Sequence, residues 1–206
     1  MYPVSDAFLR AVRSNTRKYF WTGTIVTKGG MTYEFGAKEI VKGSGYISRQ
    51  CCGSTEIELG TVYAAEMGIT LLSDIDRYTL EDAQVTLVFH LVLADDSVED
   101  VPMGVFEVSE ANRLAKCLEL KAYDYMLRFD KPLQFNSSSG TAYNFLATAC
   151  NDCHVELAQS KEELEQLPNG KEILGIYADN DMESYRDLLY YTAQVLGCFC
   201  RINREG

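Results

Sequence analysis

The sequence predicts an α+β chain: a mainly antiparallel, β-barrel-like first part over residues 1–135, then a smaller, helix-containing α/β part over 136–206. Three observations carry this. Short runs of alternating apolar residues recur between residues 18 and 123. The polar tract Asn136-Ser137-Ser138-Ser139-Gly140 marks a change of composition. Beyond it the apolar spacing turns helical, with capping signatures at Thr141 and Ser184. With 206 residues, 47% of them hydrophobic and 24% charged, the chain can bury a core without disulfides or metal.

The elements follow in order. Ser5 caps a short helix with Asp6 in its first turn and Phe8, Leu9 and Val12 on one face. From Lys18 the β-branched and aromatic run Tyr19–Val26 predicts a strand, and Gly29-Gly30 turns it into Met31–Phe35. Two further strands are expected at Gly45–Cys51 and Glu56–Leu72, with Gly60 or Gly68 marking a bulge. The clearest strand is Gln84–Leu93, where Val85, Leu87, Phe89, Leu91 and Leu93 share one face. After the turn Ala94-Asp95-Asp96-Ser97 come strands at Val98–Met103, Val105–Ser109 and Cys117–Ala122, making six to eight strands in a curved sheet or barrel.

Asp124–Phe129 reads as one or two helical turns. Thr141 opens a helix with Leu146, Ala149/Cys150 and Cys153 on one stripe. A short charged helix at 160–167, a turn at Pro168-Asn169-Gly170 and a strand at Glu172–Tyr177 come next. Ser184 and Asp187 form a capping box for a helix presenting Leu188, Leu189, Thr192, Val195 and Leu196, stopped by Gly197. Phe199–Ile202 reads as a strand cut off at Arg204-Glu205-Gly206, which leads us to expect a fragment of a longer polypeptide.

Lys and Arg number 19 against 30 Asp and Glu, a net charge of −11. Such a surface repels phosphates and disfavours tight nonspecific binding to nucleic acid. The charge is uneven: residues 1–50 hold 8 basic and 3 acidic side chains, net +5, and residues 51–206 hold 11 and 27, net −16. No apolar run approaches 18 residues, and Met-Tyr-Pro-Val-Ser-Asp lacks the apolar stretch of a signal peptide, so no membrane anchor and no export are expected. Seven cysteines in such a chain read as reduced thiols, with synthesis in the cytoplasm.

Cys150-Asn151-Asp152-Cys153-His154 has the spacing of a c-type haem attachment site, and Cys150, Cys153 and His154 with Cys198 and Cys200 offer ligands of the type zinc takes. Haem attachment needs export, however, and Cys153 continues an apolar stripe. Cys198-Phe199-Cys200 also lacks the knuckle turn of a zinc site. Packing at a helix end is the simpler reading, with a Cys-rich zinc or haem protein as the alternative. His90 and His154 sit in no nucleophile elbow, and no phosphate loop or metalloprotease motif is present, so no cofactor and no catalysis are expected.

Several segments resemble the N-terminal region of tail hub proteins of long-tailed bacteriophages and prophages, also known as baseplate hub or tail-associated lysin N-terminal modules. They are Trp21-Thr22-Gly23-Thr24-Ile25 with the Gly29-Gly30 hairpin, Cys52-Gly53-Ser54-Thr55-Glu56-Ile57-Glu58-Leu59-Gly60 and Pro102-Met103-Gly104-Val105-Phe106-Glu107-Val108. Lys121-Ala122-Tyr123-Asp124-Tyr125-Met126-Leu127-Arg128-Phe129-Asp130 follows, then Ser184-Tyr185-Arg186-Asp187-Leu188-Leu189 and Gly197 through Arg204. No single segment is diagnostic, but their order and spacing together are fairly specific. The resemblance implies β-rich tube domains with an α/β part, assembled as a homotrimer at the virion tail tip. It implies partners in the tail tube, the distal tail proteins and the tape-measure protein, with DNA passing through the lumen without sequence-specific binding. Many relatives carry a lytic module further along their chains. In this setting the basic start of the chain, with Arg10, Arg13 and Arg17, is the expected docking edge for tube or ring. The departure from the family lies at Cys150–His154, where relatives often have a small residue or Gly.

Overall fold

The structure, a computed structural model, describes residues 2–53, 56–134, 139–177 and 180–206. Ser54-Thr55 of the hub-like segments lie outside the described residues, as does the expected boundary at Asn136-Ser137-Ser138. The chain divides into two compact units, one of residues 2–47 and 66–123 and one of residues 48–65 and 124–204.

The first unit is a sheet with one helix. Helix α1 spans Asp6–Arg13, and the strands are β1 Lys18–Val26, β2 Thr32–Phe35, β3 Tyr46–Ser48, β4 Glu66–Leu72, β5 Gln84–Val92, β6 Val98–Leu114 and β7 Cys117–Tyr123. Their order is β2-β1-β5-β6-β7-β4-β3, and the pairings of β1 with β2 and β5, of β6 with β5 and β7, and of β4 with β7 are all antiparallel. The barrel expected from the sequence is not formed. Closure needs the last strand to pair with the first at a matched tilt and stagger. Here the order ends on two short strands, β2 and β3, and the sheet stays open. Gly29-Gly30 makes the expected turn, with Gly30 at φ 82° donating its N–H to Thr27 O at 2.8 Å.

Alternation decides which face is buried. Val85, Leu87 and Leu91 of β5 are buried with Phe106, Val108, Leu118, Leu120, Met67, Ile69 and Leu71. Two strands differ from expectation. Strand β6 runs unbroken from Val98 through Leu114, since register shifts opposite Leu87/Val88 and between Val108 and Glu110 absorb the irregular residues without ending it. The alternating Ile57–Tyr63 run is not a strand. Gly60 adopts φ +90° and gives its N–H to Cys198 O at 2.9 Å, so these backbone groups turn to the second unit's own elements.

The second unit is built on α2 Ala142–Asp152, α3 Lys161–Leu164 and α4 Tyr185–Val195, with a 3-10 segment Tyr125–Asp130 and the two-residue ladder of β8 Ser139–Gly140 with β9 Leu174–Gly175. Each α-helix starts in a reciprocal capping box: Thr141–Asn144, Ser160–Glu163 and Ser184–Asp187. Their apolar stripes bury Phe145, Leu146, Cys150, Leu188, Leu189 and Leu196 against Val62, Met126 and Phe129. Phe199–Ile202 forms no strand; Cys200 makes a single parallel bridge to Val62.

Candidate docking surface and thiol cluster

The expected docking edge lies on α1. Ser5 caps the helix by accepting from Phe8 N at 3.0 Å, while its own N–H and hydroxyl donate to the Glu99 carboxylate at 2.8 and 2.5 Å. Phe8 is the buried anchor, edge-on to Phe89 with ring centroids 6.3 Å apart and in one cluster with Leu91 and Val101. Those contacts fix which side faces out. Arg10 and Arg13 are exposed in the last turn, where a cation complements the helix dipole. Arg17 is exposed too, and its guanidinium donates to Val12 O at 2.6 Å, satisfying one of the terminal carbonyls. The three exposed arginines thus follow one another through the last turn of α1 and the residues just after it.

On the polar face of the same sheet the strand register assembles a chain of bonds that the sequence does not reveal. Thr22 Oγ1 lies 2.7 Å from His90 Nε2, and His90 Nδ1 lies 2.6 Å from Asp100 Oδ1. The carboxylate accepts from Nδ1–H, and in the neutral ring Nε2 then accepts from the threonine hydroxyl. The Phe20 ring stacks on the imidazole at 4.4 Å. A hydroxyl–imidazole–carboxylate chain also serves acyl transfer, but that chemistry needs donors converging on an oxyanion. Strands β1 and β5 pair continuously from Lys18↔Val92 to Val26↔Gln84, and the three side chains come from neighbouring strands of that ladder. The arrangement works as a cross-strand brace beside the Thr24–Thr86 hydroxyl pair at 2.5 Å. No local signal marks it, because Thr22, His90 and Asp100 meet only through the register Phe20↔His90↔Asp100.

Four of the thiols of the second unit lie in or against its core. Cys150 and Cys153 are buried, and Cys198 and Cys200 are half-buried. Burial pushes the Cys150 thiol up to about 11 and the Cys200 thiol up to about 12, with neighbouring thiols adding to both shifts. His154 does not join them. It stands exposed at φ 55° just past α2, and its carbonyl accepts from Arg128 at 2.7 Å. Lys131 donates to Asp152 O at 3.0 Å, so two basic side chains complete the end of α2. Among the described residues no group of three or more His, Cys, Asp or Glu could hold a metal ion. Cys150 and Cys153 pack into the core at the end of α2, with His154 outside their cluster. A cleft of about 430 Å³ adjoins these thiols, with Phe129, Leu146, Leu164 and Ile202 among its walls.

No protein-family model matches the chain, and no curated protein matches it. Among solved structures, the chain is similar over 65% of its length to a chain in the virion of the native gene transfer agent particle, at 11% identity and a TM-score of 0.43, covering 49% of that chain. It is similar over 91% of its length to a chain of the half-lidded PdpA–VgrG complex of Francisella, at 10% identity and a TM-score of 0.48, covering 30% of that chain. For the lidded form of that complex the figures are 69% of this chain, 8% identity, a TM-score of 0.41 and 21% of the other chain. These are distant likenesses; the chain spans about half the length of the first and less than a third of the others.

Proposed function

We propose that the chain is a structural, non-catalytic component of a phage or prophage tail tip, belonging to the hub that joins the tail tube to the distal tail parts. It works there as a homotrimeric ring through which the tape-measure protein and DNA pass. The observation that carries this reading is the ordered run of hub-like segments from Trp21 to Arg204, held at family-like spacing along most of the chain. The net −16 of residues 51–206 suits a wall past which DNA moves, because an acidic surface does not hold phosphates. The end of α1 is the proposed docking edge for tube or distal ring. Its anchors, Phe8 and Ser5, are separate from its exposed cations, so a partner can be engaged without disturbing the helix.

Reversing the charge in the R10E/R13E/R17E variant is expected to lower the yield of assembled particles several-fold while circular dichroism shows the purified chain still folded, with the small loss of stability that anions at a helix C-terminus bring. The count of intact tails in negative-stain micrographs reads the outcome. Full particle yield from the triple variant overturns the docking edge.

A further inference from the structure

Two adjacent cysteines stand apart from the thiol cluster of the helical core. Cys51 is exposed and Cys52 half-buried, and their sulfurs lie 3.9 Å apart. Side chains of neighbouring residues in extended backbone point to opposite sides, so this approach requires a local bend. The same unit supplies the bend and pins it. The Thr61 hydroxyl donates to the Cys51 carbonyl, and a few residues on the Gly60 N–H reaches Cys198 O at 2.9 Å. Tyr190 Oη donates to Glu58 Oε1 at 2.9 Å, fastening Glu58 to α4. Unlike Cys150 and Cys200, whose thiols burial holds protonated well above the usual range, the 51–52 pair is reached by solvent.

We propose that Cys51 and Cys52 form a vicinal-dithiol modification site that a peroxide converts reversibly to a disulfide between adjacent residues. The Cys51 thiolate attacks one peroxide oxygen; an S–O bond forms, the O–O bond breaks, and the departing oxygen leaves as water. Cys52 then attacks the sulfur of the resulting sulfenic acid, the S–S bond forms, and the S–O bond breaks with loss of a second water. Two thiols and one hydrogen peroxide give one disulfide and two waters, the two electrons passing from sulfur to oxygen. Cys51 takes the first step because it is the exposed member, and Cys52 resolves it. Adjacent Cα atoms are held about 3.8 Å apart by the peptide between them, below the usual span of a disulfide. The product is therefore strained and easily reduced, which makes the pair a reversible mark. The inference stands on the geometry of the pair and is independent of the tail-tip reading.

Intact-mass and peptide-mass spectrometry test it on the purified chain, treated with hydrogen peroxide at concentrations below millimolar and then alkylated without denaturation. The expected result is a loss of about 2 Da confined to the peptide holding both residues, reversed by dithiothreitol, with Cys150, Cys153 and Cys200 alkylated only after unfolding. In the Cys52→Ser variant the same treatment leaves a sulfenic acid at Cys51 that dimedone traps. Direct passage of Cys51 to sulfinic acid in the unmodified sequence, a disulfide from Cys51 to any other cysteine or to a second chain, or no change in mass would each overturn the proposal.

Discussion

The two units of this chain solve the same problem by opposite means. Each gathers two separate stretches of sequence, residues 2–47 with 66–123 in one and 48–65 with 124–204 in the other. In the first, a hydrogen-bonded ladder runs along strands as long as the 17-residue β6. In the second, a few anchors carry the assembly. Tyr185 is almost wholly buried and its hydroxyl donates to Asp152 Oδ2 at 2.6 Å, holding the start of α4 to the end of α2. Burial and that hydrogen bond push its phenol up to about 12. Asp124, also buried, has its carboxyl raised by desolvation while it caps the following 3-10 segment through Met126 N at 3.1 Å. The contrast teaches that a sheet tolerates local irregularity, such as the register shifts in β6, whereas a small helical core depends on individual polar contacts.

That contrast can be broken most forcefully at Phe106, which is fully buried in the sheet unit. Phe106→Ala is expected to cost about 3–5 kcal/mol. Urea unfolding followed by the fluorescence of Trp21, the single tryptophan and a β1 residue, reads the loss in that unit. The helical signal at 222 nm should move much less; a shift of equal size in both signals would mean that the units unfold as one.

An intermediate effect is expected from alkali on the helical unit. Folded Cys150 and Cys200 hold their protons up to about 11 and about 12, against an ordinary value of 9.0. Above pH 9 the unfolded chain therefore binds fewer protons than the folded one, and stability falls as pH rises through that window. The melting temperature of the unmodified chain should drop steadily between pH 9 and 11, and a C150A/C200A variant, already less stable, should show a flatter curve. The smallest effect belongs to a cap. Ser184→Ala removes the hydroxyl that accepts from Asp187 N at 3.3 Å and should cost about 1 kcal/mol. It should appear in the 222 nm transition and leave the Trp21 transition in place.

What the sequence disclosed follows the same division. Strand β1 was legible to the residue because its β-branched run is bounded by Lys18 and Gly29-Gly30, and α4 was legible because Ser184 and Asp187 mark its start. Sheet closure was not legible, since alternation says which face is buried and nothing about which strand ends the order. The Ile57–Tyr63 run misled for a related reason: period-2 spacing cannot register that Gly60 turns at φ +90°. In the candidate docking surface, the outward placement of Arg10 and Arg13 follows from helical spacing against Phe8. The bond from Arg17 to Val12 O depends on the path of the chain after the helix. The brace of Thr22, His90 and Asp100 lay beyond reach, because three strands must first pair in one register.

The central claim, a place in the tail tip, is met most directly by immunogold electron microscopy of induced particles, with antibody raised against this chain and tails examined both intact and partly disrupted. The account predicts gold confined to the distal tail tip, in one or both preparations. Gold on the head or along the shaft, or disrupted tails without label, would contradict it.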